Sequence, residues 1–145
     1  MISAFVVDAS VAVKWFVPEE GSADAEALAA SGNRLIAPRL LRLEVANAFR
    51  RKIQDGMMVL PQAHDRLDVL AGYLDHFVDE QHMLIEAMNA AAALRHPIYD
   101  ILYLETARRH DAVMVTADRR LIRKLGASED ARLVCHLTDW HKAIR

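Results

Sequence analysis

A three-layer α/β domain with a mainly parallel central sheet is the fold this sequence predicts, on three observations. Short apolar runs at 2–7, 35–37, 112–116 and 132–137 alternate little, as strands buried on both faces do. Helical stretches lie between them, giving the order β-α-α-β-α-α-(β)-α-α-β-α-β-α that suits parallel crossovers. At 145 residues and 53% hydrophobic, the chain is long and apolar enough for one domain with a real core.

The elements follow from local signals. Residues 2–7 form the first strand, and a helical stretch from Val11 to Phe16 is stopped by Pro18. Ser22 is placed to cap a helix through Ala30, closed by Gly32. Leu35–Ala37 is a short strand, and Pro38 sits at the first turn of a long helix to about Gln54, with Gly56 beyond it. Pro61 opens another helix to about His76, followed by an edge strand near Phe77–Val78. The alanine-rich stretch Met83–Arg95 is a helix halted by His96-Pro97. A helix over 100–109, a strand over 112–116, a helix from Asp118 to Leu125 ended by Gly126, and a strand over 132–137 complete the chain. No repeat, linker or low-complexity segment divides it, so residues 1–145 read as a single domain.

Composition narrows the function classes. The net charge of −2, with a pI near 6.4, offers no global basic field for nucleic acid. The basic residues are nevertheless clustered. Arg39, Arg42, Arg50, Arg51 and Lys52 share one helix, and Arg119, Arg120, Arg123 and Lys124 share another. Each cluster is either a solvated helix face or a contact for a phosphate backbone. The single cysteine, Cys135, lies in an apolar run and reads as a small buried hydrophobe. It allows no intramolecular disulfide, and the N-terminal apolar run is too short and too early interrupted by Asp8 for a signal peptide. No run approaches the roughly 20 apolar residues of a membrane span. The expectation is a cytoplasmic protein. No His-x-x-x-His, Cys-x-x-Cys, Gly-rich phosphate loop or Gly-x-Ser-x-Gly elbow occurs, which argues against zinc, dinucleotide and serine-hydrolase chemistry.

Four acidic residues are placed to aim carboxylates at one spot. They are Asp8 after Phe5-Val6-Val7, Glu44 in Leu43-Glu44-Val45-Ala46-Asn47, Asp100 after Pro97-Ile98-Tyr99, and Asp118 after Val115-Thr116-Ala117. In a parallel α/β fold, the C-terminal strand ends and adjoining helices converge on one crevice. Two carboxylates about 4 Å apart cost roughly 4 kcal/mol at an effective dielectric near 20. Several together must take up protons or bind a cation, and hard oxygen donors select Mg²⁺ or Mn²⁺. Each acid also has a plainer reading. Asp8, Asp100 and Asp118 could each cap the helix that follows, and Glu44 could pair along its own helix with Arg51. Ser10 could cap as well or bond a metal-bound water, and Thr116 adds a hydroxyl where its strand emerges.

Taken together, Val7-Asp8-Ala9-Ser10, Leu43-Glu44-Val45-Ala46-Asn47-Ala48-Phe49-Arg50, Tyr99-Asp100-Ile101-Leu102-Tyr103-Leu104 and Thr116-Ala117-Asp118-Arg119-Arg120-Leu121 resemble the PIN-domain family. Within it the chain is similar to the VapC-type toxins of toxin–antitoxin pairs, almost end to end. The resemblance implies a PIN-like α/β/α fold and a Mg²⁺- or Mn²⁺-dependent endoribonuclease. It also implies that Asp8, Glu44, Asp100 and Asp118 serve as catalytic residues and metal ligands, with Asn47 and Thr116 supporting them. It further implies a homodimer and a VapB-type antitoxin that blocks the acidic crevice. Arg50, Arg51, Arg119 and Arg120 are the candidates for holding RNA. Glu105-Thr106 departs from the smaller or apolar residues usual before Ala107, off the acidic face. Two other readings compete: a non-catalytic interaction module, and a haloacid-dehalogenase-type phosphohydrolase with Asp8 as nucleophile. The second lacks the acid expected two residues after Asp8, where Ser10 stands.

Overall fold

The computed structural model describes residues 2–144. Five strands form one all-parallel sheet: β1 (Ala4–Val7), β2 (Leu35–Pro38), β3 (His76–Val78), β4 (Ala112–Thr116) and β5 (Val134–His136). Their spatial order is β3-β2-β1-β4-β5. Every residue of β1, β2 and β4 is buried, which is why their sequences run apolar without alternation. β3, at one edge, exposes His76.

The helices are α1 (Ala9–Ala12), α2 (Ser22–Ala30), α3 (Leu40–Gln54), α4 (Leu60–Leu70), α5 (Leu84–Leu94), α6 (Ile98–Arg109) and α7 (Arg119–Leu125). From β1 the chain steps outward through β2 to β3, then returns to β4 and continues outward to β5. Right-handed crossovers therefore place α1–α4 on one face and α5–α7 on the other. The two directions of winding part between β1 and β4. Such a switch point opens a crevice beyond the strands' C-terminal ends. In the α5–α7 layer, α6 packs against β1, β2 and β4, and α5 packs against α6. Tyr103, Phe5, Phe49, Leu28, Ile36 and Leu41 are among the largest fully buried side chains. A satellite aromatic cluster fastens the α1–α4 layer. Trp15 stacks on Tyr73 with ring centroids 4.6 Å apart and donates its indole N–H to Ala25 O at 2.8 Å.

Several element boundaries differ from the sequence reading, each for a local reason. Ser22 does not cap α2: Gly21, at φ 89°, holds the cap position and Ser22 is the first helical residue. The Ser22 hydroxyl instead accepts from Glu19 N–H and donates to Val17 O, tying the entry loop. Pro38 ends β2 rather than opening α3. Arg39 gives its N–H to Val78 O, so the neighbouring Pro38 nitrogen turns away from β3 and past the end of β1, where no ladder bond is asked of it. The helix opened by Pro61 stops at Leu70 instead of reaching His76. Asp75 exchanges bonds with Leu35, its N–H reaching Leu35 O and its carboxylate accepting Leu35 N–H, which draws the chain into the sheet. The last strand begins at Val134, because residues 129–133 form a 3-10 turn capped by Ser128.

Candidate active site

Asp8 follows β1 and Thr116 ends β4, and these neighbours are in register through Val7 and Val115. The sheet thus delivers both side chains to the switch point. The Asp8 carboxylate is almost fully enclosed, at 6% exposure. Its Oδ1 accepts from the Ser10 hydroxyl at 2.6 Å and from Val11 N–H at 3.2 Å, so Asp8 also caps α1. Its Oδ2 accepts from the Thr116 hydroxyl at 2.5 Å. Ser10 in turn accepts Ala117 N–H, and Thr116 accepts Asp118 N–H, so the end of β4 is stitched to the start of α1. Burial pushes the Asp8 carboxyl up to about 6, against the pull of the hydrogen bonds from Ser10, Thr116 and Val11; the nearby charge of Asp100 adds to the rise.

Glu44 stands half-buried on α3. It accepts the phenolic O–H of Tyr103 at 2.5 Å across to α6, in place of a local pairing with Arg51. Burial raises its carboxyl above the ordinary range, the Tyr103 bond lowers it, and Asp100 raises it again. Tyr103 is itself wholly buried. Its phenol is pushed far up, first by burial and then by the Glu44 charge, so it acts only as a neutral donor. Asp100 does not cap α6. It lies in the first turn behind Pro97, and its Oδ2 meets His96 Nε2 at 2.7 Å. The Asp100 charge adds, as the smallest cause, to the upward shift of both Asp8 and Glu44.

Asp118 is different. Its side chain is exposed and its Oδ1 caps α7, accepting from Arg120 N–H at 2.9 Å and Leu121 N–H at 3.3 Å. Its backbone N–H bonds the Thr116 hydroxyl that holds Asp8, while its carboxylate is engaged by its own helix. Asn47 accepts from Arg50 Nε at 3.0 Å and lines a cleft with Glu44, but makes no hydrogen bond to an acid among the described residues.

The arginines also separate. Arg51 lies between two clefts. One, of about 410 Å³, is shared with Leu40, Leu43, Glu44 and Tyr99; the other, of about 360 Å³, with Ser10, Lys14 and Lys52. Arg119 lines a third beside Ala117 and His136. Arg50 is occupied by Asn47 and Gln54, and Arg120 is exposed at the start of α7. Cys135, pushed up to about 12 by burial, is inert as a nucleophile.

The donors that hold Glu44 and Asp100 escape a motif search. Tyr103 sits one turn after Asp100, and its signal is a tyrosine on a buried helix face, which requires a partner for its hydroxyl. His96 lies four residues before Asp100, across Pro97, and has no such signature.

The site's chemistry fits a hard divalent cation. Its donors are oxygens, and Asp8 is buried beside other carboxylates. Among the described residues no lysine or arginine forms an ion pair with any of the four acids. Nor do three or more His, Cys, Asp or Glu groups there close a metal cage by themselves. An ion held by few direct protein ligands while keeping several waters, as Mg²⁺ prefers, suits that spacing.

A family model described as the PIN domain matches residues 5–126, which include Asp8, Glu44, Asp100 and Asp118. The chain belongs to the PIN-domain family. This PIN domain is 29% identical over 124 residues to Ribonuclease VapC3 of Pyrobaculum aerophilum, spanning 84% of this chain and 95% of that protein. It is 34% identical over 100 residues to Ribonuclease VapC1 of Mycobacterium tuberculosis, spanning 68% and 73% of the two chains. The crystal structure of PAE2754 from Pyrobaculum aerophilum has the same fold, with a TM-score of 0.70 at 21% identity over 93% of this chain and 84% of that one. The VapC-type PIN resemblance carried by the four motifs is therefore borne out, and the haloacid-dehalogenase reading of Asp8 is set aside. No helix among the described residues is long and apolar enough to cross a membrane.

Proposed function

We propose that this PIN domain is a toxin ribonuclease of the VapC type that hydrolyses RNA phosphodiester bonds with Mg²⁺ or Mn²⁺ at Asp8, Glu44, Asp100 and Asp118. One observation carries the reading. Asp8, Glu44 and Asp100 share the switch point without a lysine or arginine partner, and the hydrogen-bond donors on their side chains are hydroxyls, one backbone N–H and one imidazole. The similarity to two proteins named as ribonucleases supports it.

Each side chain has a task under this reading. Asp8, Glu44, Asp100 and Asp118 would hold the cation, directly or through the waters that Mg²⁺ keeps. When bound, Mg²⁺ or Mn²⁺ would supply an acidified water for attack and offset charge on the phosphoryl oxygens. Ser10 and Thr116 hold Asp8, and Tyr103 holds Glu44, so the acids need no rearrangement when substrate arrives. Arg51 lines the cleft that Glu44 lines and can grip a phosphate flanking the scissile bond, while Arg119 lines a separate cleft beside Ala117 and His136 that can take the backbone further along. A single-stranded or loop segment of RNA brings its backbone to such a site. The partner is a VapB-type antitoxin that covers the acids, and the active assembly is a homodimer.

The test uses purified chain free of antitoxin, incubated with structured RNA. Cleavage is expected with Mg²⁺ or Mn²⁺, loss in EDTA, and recovery when the metal is returned. Undiminished cleavage in chelator, with contaminating nuclease excluded, refutes the metal role. Failure of the wild-type chain to cut any RNA favours the non-catalytic interaction module.

A further inference from the structure

We propose that His96 is a positioning residue for Asp100, locked in one tautomer by Lys124, so that one Asp100 oxygen is engaged and the other is presented to the cation. This rests on the metal site of the proposed function and deepens it.

The chain conformation places the imidazole. α5 ends on Arg95 in the left-handed region, at φ 52°. His96 N–H then reaches back to Ala91 O at 3.0 Å, and Pro97 caps α6. The ring is mostly enclosed in this tight corner, with 15% of its side chain exposed. Its Nε2 lies 2.7 Å from Asp100 Oδ2, and its Nδ1 lies 3.2 Å from Lys124 Nζ. Lys124 also donates to Arg95 O at 2.9 Å, which fixes the ammonium over the same corner.

The two partners leave the ring one protonation pattern. A lysine ammonium has only donors, so Nδ1 must offer it a lone pair. The ring is then neutral and its one N–H is on Nε2, pointing at a carboxylate that can only accept. The result is a directed chain from Lys124 through His96 to Asp100. It gives Asp100 a strong hydrogen bond without seating a cation directly on a carboxylate the metal needs. Lys124 belongs to α7, the helix capped by Asp118, so the same chain ties the elements carrying two of the four acids. Such outer partners set the orientation of a ligating group, and removing one typically costs roughly 10- to 100-fold in metal affinity.

Calorimetric titration of the antitoxin-free chain with Mn²⁺ alone tests this, without reliance on activity. His96→Ala is expected to weaken Mn²⁺ binding roughly tenfold or more. His96→Gln, whose amide N–H can reach the Nε2 position, should recover most of that loss. Lys124→Met should give a smaller loss, and should add nothing on the His96→Ala background, because the lysine acts through the ring. Two-bond ¹H–¹⁵N spectra should show wild-type His96 as the neutral Nε2–H tautomer and the Lys124→Met ring as a mixture. Wild-type affinity in folded His96→Ala overturns the inference, as does a wild-type ring protonated on Nδ1. Should His96→Ala not fold, wild-type affinity together with a wild-type tautomer in Lys124→Met overturns it equally. A wild-type chain that binds no Mn²⁺ overturns the functional reading, and this inference with it.

Discussion

Replacing Asp8 by asparagine should abolish cleavage and at the same time stabilise the metal-free protein at neutral pH. The buried Asp8 carboxyl titrates near 6 in the folded chain, against an ordinary value of 3.8. An acid whose pKa rises on folding holds its proton more tightly in the native state. Its favourable contribution is complete below pH 3.8 and is lost as pH climbs to about 6. At about 1.36 kcal/mol for each tenfold change in proton affinity, that rise makes the ionised Asp8 a cost of about 3 kcal/mol at pH 7.5. Asparagine removes the charge but must rearrange its partners. Its carbonyl can accept from Ser10 and Val11 as Oδ1 does, while its N–H₂ faces Thr116, whose hydroxyl then accepts instead of donating. That rearrangement costs about 1 kcal/mol. The net gain at pH 7.5 is therefore about 2 kcal/mol, a rise of several degrees in Tm for a domain of this size. Urea unfolding of both proteins in EDTA, at pH 4 and pH 7.5, reads the difference directly. The advantage of Asp8→Asn should be near its maximum at pH 7.5 and should vanish or reverse at pH 4. A mutant less stable than wild type by more than about 1 kcal/mol at pH 7.5, or a difference independent of pH, refutes the reasoning and leaves Asp8 a structural cap.

Three further outcomes can be checked. Tyr103→Phe deletes only the donor to Glu44, so cleavage should fall at unchanged RNA affinity, with a stability loss of about 1–2 kcal/mol by urea titration. Arg51→Ala should weaken RNA binding by a catalytically inactive chain and lower its salt slope by about one, whereas Arg50→Ala, already bonded along its own helix, should do neither. The antitoxin should place a basic side chain, most favourably arginine, among the acids, because a guanidinium matches carboxylates bidentately. Changing that arginine to alanine should weaken inhibition by an order of magnitude or more, and a complex with the antitoxin bound only on a distant face would count against it.

The unalternating apolar runs were legible in the sequence as buried strands because a parallel sheet covers both faces of its strands. Pro and Gly punctuation located the helices between them, and the segments around Asp8, Glu44, Asp100 and Asp118 already carried the PIN-domain resemblance. Boundaries were less legible where a distant segment competed with a local signal. Pro38 resembles a helix opener until β3 takes up the backbone beside it, and the helix after Pro61 continues on paper until Leu35 captures Asp75. The same holds within the site. Sequence alone identified which carboxylates to watch, since their chemistry is inherent in the residue types and in their places after strands and on helices. Only the tertiary structure decided how they differ: Asp8 enclosed and raised, Glu44 tied to Tyr103, Asp100 to His96, and Asp118 exposed as a cap. The physical reason is that desolvation and hydrogen-bond partnership depend on neighbours up to 108 positions away along the chain, which no local pattern encodes.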